Sequence, residues 1–191
     1  KAGKGRENTI IAIVKGTKSE TVIEHLSKLS KSLRNKVKEI TLDMAGSMKQ
    51  IAKRCFVNAT QVIDRFHVQK LASEALQNIR IKHRWIEMDN ENNAITHAKC
   101  TNKTYSPDIL SNGDTKKQLL ARSRHLLYKS PNNWTIDQQD RAKLLFELYP
   151  EIEQAYDLTN KLRAIYNKLI PKEIAMTRLP YWFNQVENTN P

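Results

Sequence analysis

A chain of 191 residues, 39% of them hydrophobic, is long enough for one good core or two small subdomains, and its apolar runs, such as "IIAIV" at 10 to 14, fall far short of the roughly 20 residues that span a bilayer. Only Cys55 and Cys100 are present, too few and too far apart for a disulfide framework or a zinc site, and the opening "KAGKGRENT" lacks the apolar core of a secretory leader, so a reducing cytoplasm is the expected compartment and a membrane is excluded. The formal charge of +12 is uneven, with 18 Lys/Arg against 9 Asp/Glu in residues 1–90 and 14 against 11 in residues 91–191, and such a field attracts polyanions unless it serves solubility alone.

From residue 8 to about 66 the hydrophobic period alternates between strand and helix. "NTIIAIVKG" reads as a strand closed by Gly16. A helix from about 19 to 33 follows, with Ser19 as N-cap and Val22, Ile23, Leu26, Leu29 and Leu33 on one face. "VKEITLD" is a second strand, "AGSMKQIAKRCF" a second helix and "TQVIDRF" a third strand. This β-α-β-α-β order predicts an α/β layer with parallel strands, because helical crossovers return the chain in the same direction. Three strands with few covering helices would leave sheet edges and faces bare, so the sheet looks incomplete.

After residue 67 the strand pattern ends. "HVQKLASEALQNIRIKHRWIEMDNENNAITHAK" has no Pro or Gly across 33 residues and reads as one long helix or two in tandem. A breaker-rich loop, "TYSPDILSNGDT", leads to helical stretches at roughly 115–129, 135–148 and 151–169, then a partly helical tail. Two regions result, an α/β piece over 1–66 and an all-helical piece over 67–191.

Several residues could carry chemistry. Asp43 ends "EITLD" and opens a turn into a helix; ligands gather outside the carboxyl ends of strands in α/β sheets, so it suits a metal ligand, and it equally suits a helix cap. Asp64 in "VIDRFHV" stands beside Arg65 and could pair with it or cap the next helix. His67 starts that helix where Ser, Asp or Asn usually caps, which leaves its imidazole open to a function or to simple packing. No Ser-His-Asp or Cys-His arrangement and no phosphate-binding glycine loop is visible. On the long helix Arg80, His83 and Arg84 are spaced by three and four and share a face, with Lys70, Lys82 and Trp85 nearby. A basic face ending in an aromatic suits DNA phosphates and a stacked base; the alternative is a solvated helix with Trp85 in the core. Phe146, Tyr149, Tyr156 and Tyr166 suggest packing between helices.

A strand ending in Asp, about twenty residues, then a short strand running into "DRFHV" and a long helix resembles the DDE transposases of bacterial insertion sequences, specifically the ISL-three family. The resemblance is carried by "VKEITLDMAGSMKQIAKRCFVNATQVIDRFHVQKLASEAL" and continues through "GDTKKQLLARSRHLLYKSPNNW", covering nearly all of the chain. It implies a partial RNase H-like mixed sheet with flanking helices, followed by an all-α insertion. It implies an active site of Asp, Asp and Glu holding two Mg2+ or Mn2+ ions, with Asp43 matching the second Asp as catalytic residue and metal ligand. Asp64 and His67 match the "DRFH" element that supports the site. Lys70, Arg80, Lys82 and Arg84 are then expected on the DNA backbone. The implied partners are the terminal repeats and target DNA, with a homo-oligomer as the active assembly. The resemblance places the first Asp before Lys1 and the last Glu beyond Pro191, with Glu187 not matching it, so this stretch is expected to be a fragment inactive by itself. Two other readings are a non-enzymatic basic nucleic-acid-binding module and an interaction protein whose helices form an oligomer interface.

Overall fold

"EITL" and "TQVI" are short runs with β-branched residues, and in the computed structural model, which describes residues 10, 12–167 and 169–189, they are the two strands found among the described residues. Strand β1 (Glu39–Leu42) pairs with β2 (Thr60–Ile63) in parallel, in the register Glu39↔Thr60 to Leu42↔Ile63. The crossover between them is a helix, as parallel pairing requires. The chain divides into two units, Lys1–Val68 and Gln69–Pro191, and among the described residues only the first contains a sheet.

In the first unit, α1 (Ser19–Ser27) packs on α3 (Gly46–Cys55), which buries Ile51, Ala52 and Cys55. Between them the expected single helix over 19–33 breaks. Ser30 accepts from Leu33 N at 3.3 Å and so caps a separate short helix, α2 (Lys31–Asn35), leaving Leu29 and Leu33 exposed. Ser19 is the first helical residue rather than the cap, a position taken by Lys18 without a side-chain bond. Arg34 of α2 donates to Cys55 O at 3.1 Å, a cation placed on the last carbonyls of α3.

The strand expected in "NTIIAIVKG" is not formed by residues 10 and 12–16; Ile10 and Ile13 are exposed, and Gly16 turns with φ +95°. Asn8, Thr9 and Ile11 lie outside the described residues. A strand exists through its backbone partners, and no described segment pairs with this one. β2 is likewise exposed along its length.

The second unit holds most of α4 (Arg65–Cys100), one continuous helix of 36 residues and thus about 54 Å long. It buries Leu76, Gln77 and Arg80 against α5 (Lys116–Arg122), α6 (Ile136–Leu148) and α7 (Pro150–Ile165). The core gathers Leu76, Leu119, Leu120, Leu126, Leu127, Ala142, Leu145, Tyr149, Ile152 and Tyr156. The sequence writes its own punctuation here. Thr115 with Gln118, and Thr135 with Gln138, form capping boxes, and Pro150 opens α7 where its missing N–H costs nothing. The helix expected over 115–129 stops at Arg122; Ser123, buried, turns its hydroxyl back to Leu119 O at 2.7 Å, and a 3-10 turn at Leu126–Tyr128 follows. Trp134 stacks on Tyr156 with centroids 5.3 Å apart and donates Nε1 to Leu126 O at 2.9 Å.

Asp114, fully buried, ties the "SNGDT" loop to this core. Its carboxylate takes Arg122 on one oxygen and, on the other, Asn112 Nδ2 at 3.1 Å and Arg141 at 3.5 Å. Last comes α8 (Lys172–Glu187), which runs on through Pro180 and is held to α7 by Trp182 Nε1 donating to Leu158 O at 2.8 Å; none of its residues is buried. No helix among the described residues is long and apolar enough to cross a membrane.

Candidate functional site

Each strand of the parallel pair ends on an aspartate. Asp43 follows Leu42 and Asp64 follows Ile63, the last residues in register, and Asp64 N donates to Leu42 O at 2.7 Å, which carries the ladder one step further. The two aspartates therefore occupy neighbouring positions at the carboxyl edge of the sheet, the edge where α/β proteins place ligands. Both are half-buried. Each folds its own turn: Asp43 Oδ1 accepts from Ala45 N at 3.0 Å, and Asp64 Oδ1 from Phe66 N at 3.0 Å. The Asp64 bond caps α4, the role that an Asp before a helix suggests, whereas Asp43 closes a turn ahead of α3, whose N-cap is Ala45 without a side-chain bond. The two bonds use one oxygen of each carboxylate, and no described residue donates to the other.

His67, half-buried, sits on the first turn of α4, with its N–H donating to Asp64 O at 3.1 Å and its ring edge-on to Phe66 at 5.7 Å. The "DRFH" stretch is thus one turn that holds Asp64 and the imidazole at the end of β2.

The cations of α4 separate into two kinds. Lys70, Lys82 and Arg84 are exposed, Lys70 with Glu74 3.7 Å away in a solvent-screened i,i+4 pair. Arg80 is not on that surface. It is 5% exposed, with Nε donating to Gln77 Oε1 at 2.7 Å and Nη1 to Leu120 O at 2.9 Å. The face shared by Arg80 and His83 is turned inward, and His83 meets Glu151 at 2.9 Å beside the Tyr149 ring. Trp85, which sequence alone could place in the core or on the surface, is 60% exposed.

A family model described as "Transposase" matches residues 3–191. The chain belongs to the ISL-three transposase family. Comparison with curated proteins and with solved structures gave no match. Membership makes DNA the partner of this transposase chain and DNA cleavage its general activity.

Transposases of this kind use divalent metals, and the donor set can be tested for fit. Asp43 and Asp64 offer hard carboxylate oxygens of the kind Mg2+ and Mn2+ prefer, enough for part of a shell of about six ligands. Among the described residues no group of three or more His, Cys, Asp or Glu gathers to complete one. A cleft of about 450 Å3 in the helical unit carries Glu87, Glu91 and Asp108, but Glu87 is taken by Tyr149 and Glu91 by Lys117. The strand-end pair is the better donor set. The family resemblance sets Asp64 beside the site; that the ladder seats it next to Asp43 is visible only once the register is known.

Proposed function

We propose that this chain is part of the catalytic region of a DDE transposase, which cleaves and joins DNA at the ends of an insertion sequence by metal-dependent phosphoryl transfer. The observation that carries the reading is the in-register placement of Asp43 and Asp64 at the carboxyl ends of two parallel strands joined by a helix. That arrangement is compatible with an RNase H-like sheet, of which β1 and β2 would be neighbouring members. Mg2+ or Mn2+, when bound, would make the attacking water or 3′-hydroxyl more nucleophilic and offset charge on the phosphate oxygens. Asp43 supplies a ligand oxygen, its other oxygen keeping the carboxylate fixed through Ala45 N. Asp64 holds the neighbouring position, and its turn fixes His67. Lys70, Lys82 and Arg84 bind backbone phosphates, and Trp85 offers a face for an unpaired base. Action as a homo-oligomer, recognition of terminal repeats and a cytoplasmic location belong to the same reading. On this reading the remaining carboxylates come from outside the described residues, and the stretch alone does not cut DNA.

The test is cleavage of insertion-sequence-end DNA by the natural full-length protein in Mg2+ and Mn2+, wild type against Asp43→Asn. Loss of cleavage with DNA binding retained supports the assignment. Unchanged cleavage removes Asp43 from the active site, and binding without cleavage in the wild type would return the chain to a nucleic-acid-binding module.

A further inference from the structure

Among the described residues of the helical unit, the two buried charged side chains, Asp114 and Arg80, differ in how they are compensated. Asp114 has Arg122 and Arg141, and Glu91 has Lys117. Arg80 is 5% exposed, yet both of its acceptors, Gln77 Oε1 and Leu120 O, are neutral. A guanidinium taken out of water without a counter-charge costs several kcal/mol.

Its surroundings raise that cost. Arg84 lies one helical turn further along α4. Arg124 lies just past α5, its carbonyl bonded by Gln77 Nε2 at 3.1 Å, so one glutamine links the Arg80 guanidinium to the Arg124 backbone. Burial lowers the Arg80 pKa most, the like charges of Arg84 and Arg124 lower it further, and only Tyr128 acts the other way; no carboxylate does. Arg84 and Arg124 are exposed, and no described residue pairs with either guanidinium. No described residue accepts from Arg80 Nη2, and among the described residues the buried side-chain nitrogen without a hydrogen bond is Arg141 Nε, so Nη2 keeps some contact with solvent. Three arginines, two of them one helical turn apart and the third linked through Gln77, thus stand near one another, and no described carboxylate pairs with any of them.

We propose that Arg80, Arg84 and Arg124 form a single oxyanion site that grips one backbone phosphate of DNA, with Arg80 as its rigid floor and the two exposed arginines closing over the phosphate oxygens. Guanidinium suits this task because its fixed fork of donors matches phosphate geometry. The inference rests on the DNA-binding reading above for the source of the phosphate, and on the arginine cluster for the existence of the site.

The experiment titrates a fluorescent DNA duplex with the natural protein, as wild type, Arg84→Gln, Arg124→Gln, the double variant and Lys143→Gln, between about 50 and 300 mM NaCl. The variants touch exposed side chains, so the fold persists. Each single arginine variant is expected to weaken binding about fivefold to tenfold, with Lys143→Gln unchanged. Three arginines sharing one phosphate predict that the double variant loses about one unit of the salt-dependence slope and less affinity than the two single losses combined. A slope loss of about two with additive effects would mean two independent surface contacts and would overturn the proposal. Unchanged binding in the double variant would overturn it while leaving the DNA reading intact. A second arm measures Tm with inorganic phosphate against chloride at equal ionic strength. Stabilisation by phosphate in the wild type and not in the double variant supports the site even if no duplex binds, in which case DNA as the source is what fails; no difference between the two proteins counts against it.

Discussion

Asp43 and Asp64, 21 residues apart in the chain, stand side by side because Leu42 and Ile63 are register partners in a parallel pair. Each carboxylate has a dual position, with one oxygen closing a turn and the other without a donor among the described residues.

That duality separates structure from chemistry at Asp43. Asparagine keeps the oxygen that accepts from Ala45 N, so Asp43→Asn should alter unfolding free energy by no more than about 0.5 kcal/mol, whereas Asp43→Ala loses the turn bond and costs about 1 kcal/mol. Metal-dependent cleavage should vanish in both. Urea denaturation beside the cleavage assay checks this, and an active Asn variant would sink the metal-ligand role.

Trp85 is nine residues from the buried Leu76, about two and a half turns, which puts it on the opposite side of α4. Single-stranded DNA should quench its fluorescence. Trp85→Ala should weaken that binding by about 1–3 kcal/mol for a stacked base while barely changing stability. A variant that binds as well as wild type would make the exposed ring irrelevant to DNA.

The same geometry explains what the sequence made legible. The switch from period two to helical period at "EITLD" and "AGSMKQIAKRCF", and the helix starts near 115 and 135, are local signals, and the structure follows them. Spacing also puts Arg80 and Arg84 one turn apart, but it does not say which way the turn faces. Arg80 is four residues after Leu76 and so lies in the buried stripe, a signal present in the sequence and outweighed there by its charge. The Asp43 and Asp64 pairing is different in kind. It depends on strand register, a non-local property that no single segment encodes.

Asp114 gives the largest expected stability effect. Replacing it with Ala leaves Arg141, whose Nε is buried and has no hydrogen-bond partner, without its counter-charge, and frees the loop that Asp114 ties through Asn112. A loss of about 3–5 kcal/mol is expected on urea unfolding, with the Asn variant in between. A change below about 1 kcal/mol would show that the loop and its arginines are held by other contacts.

Tyr149 sets an alkaline limit on the helical unit. Its hydroxyl donates to Glu87 at 2.9 Å, and burial first, then that carboxylate, hold its pKa well above the usual 10. Above pH 10 the unfolded chain therefore releases this proton while the folded protein keeps it. The stabilisation is fully present below that pH and is lost as pH rises towards the folded value, at up to about 1.4 kcal/mol per pH unit. Tyr156, also raised by burial, adds a loss of the same sign. Tyr149→Phe should cost about 1 kcal/mol at neutral pH through the missing hydrogen bond and then flatten the decline between pH 10 and 11.5. Urea unfolding at intervals from pH 8 to 11.5 measures both effects, and parallel curves for the two proteins would mean that Tyr149 ionises in the folded state as readily as in the unfolded one.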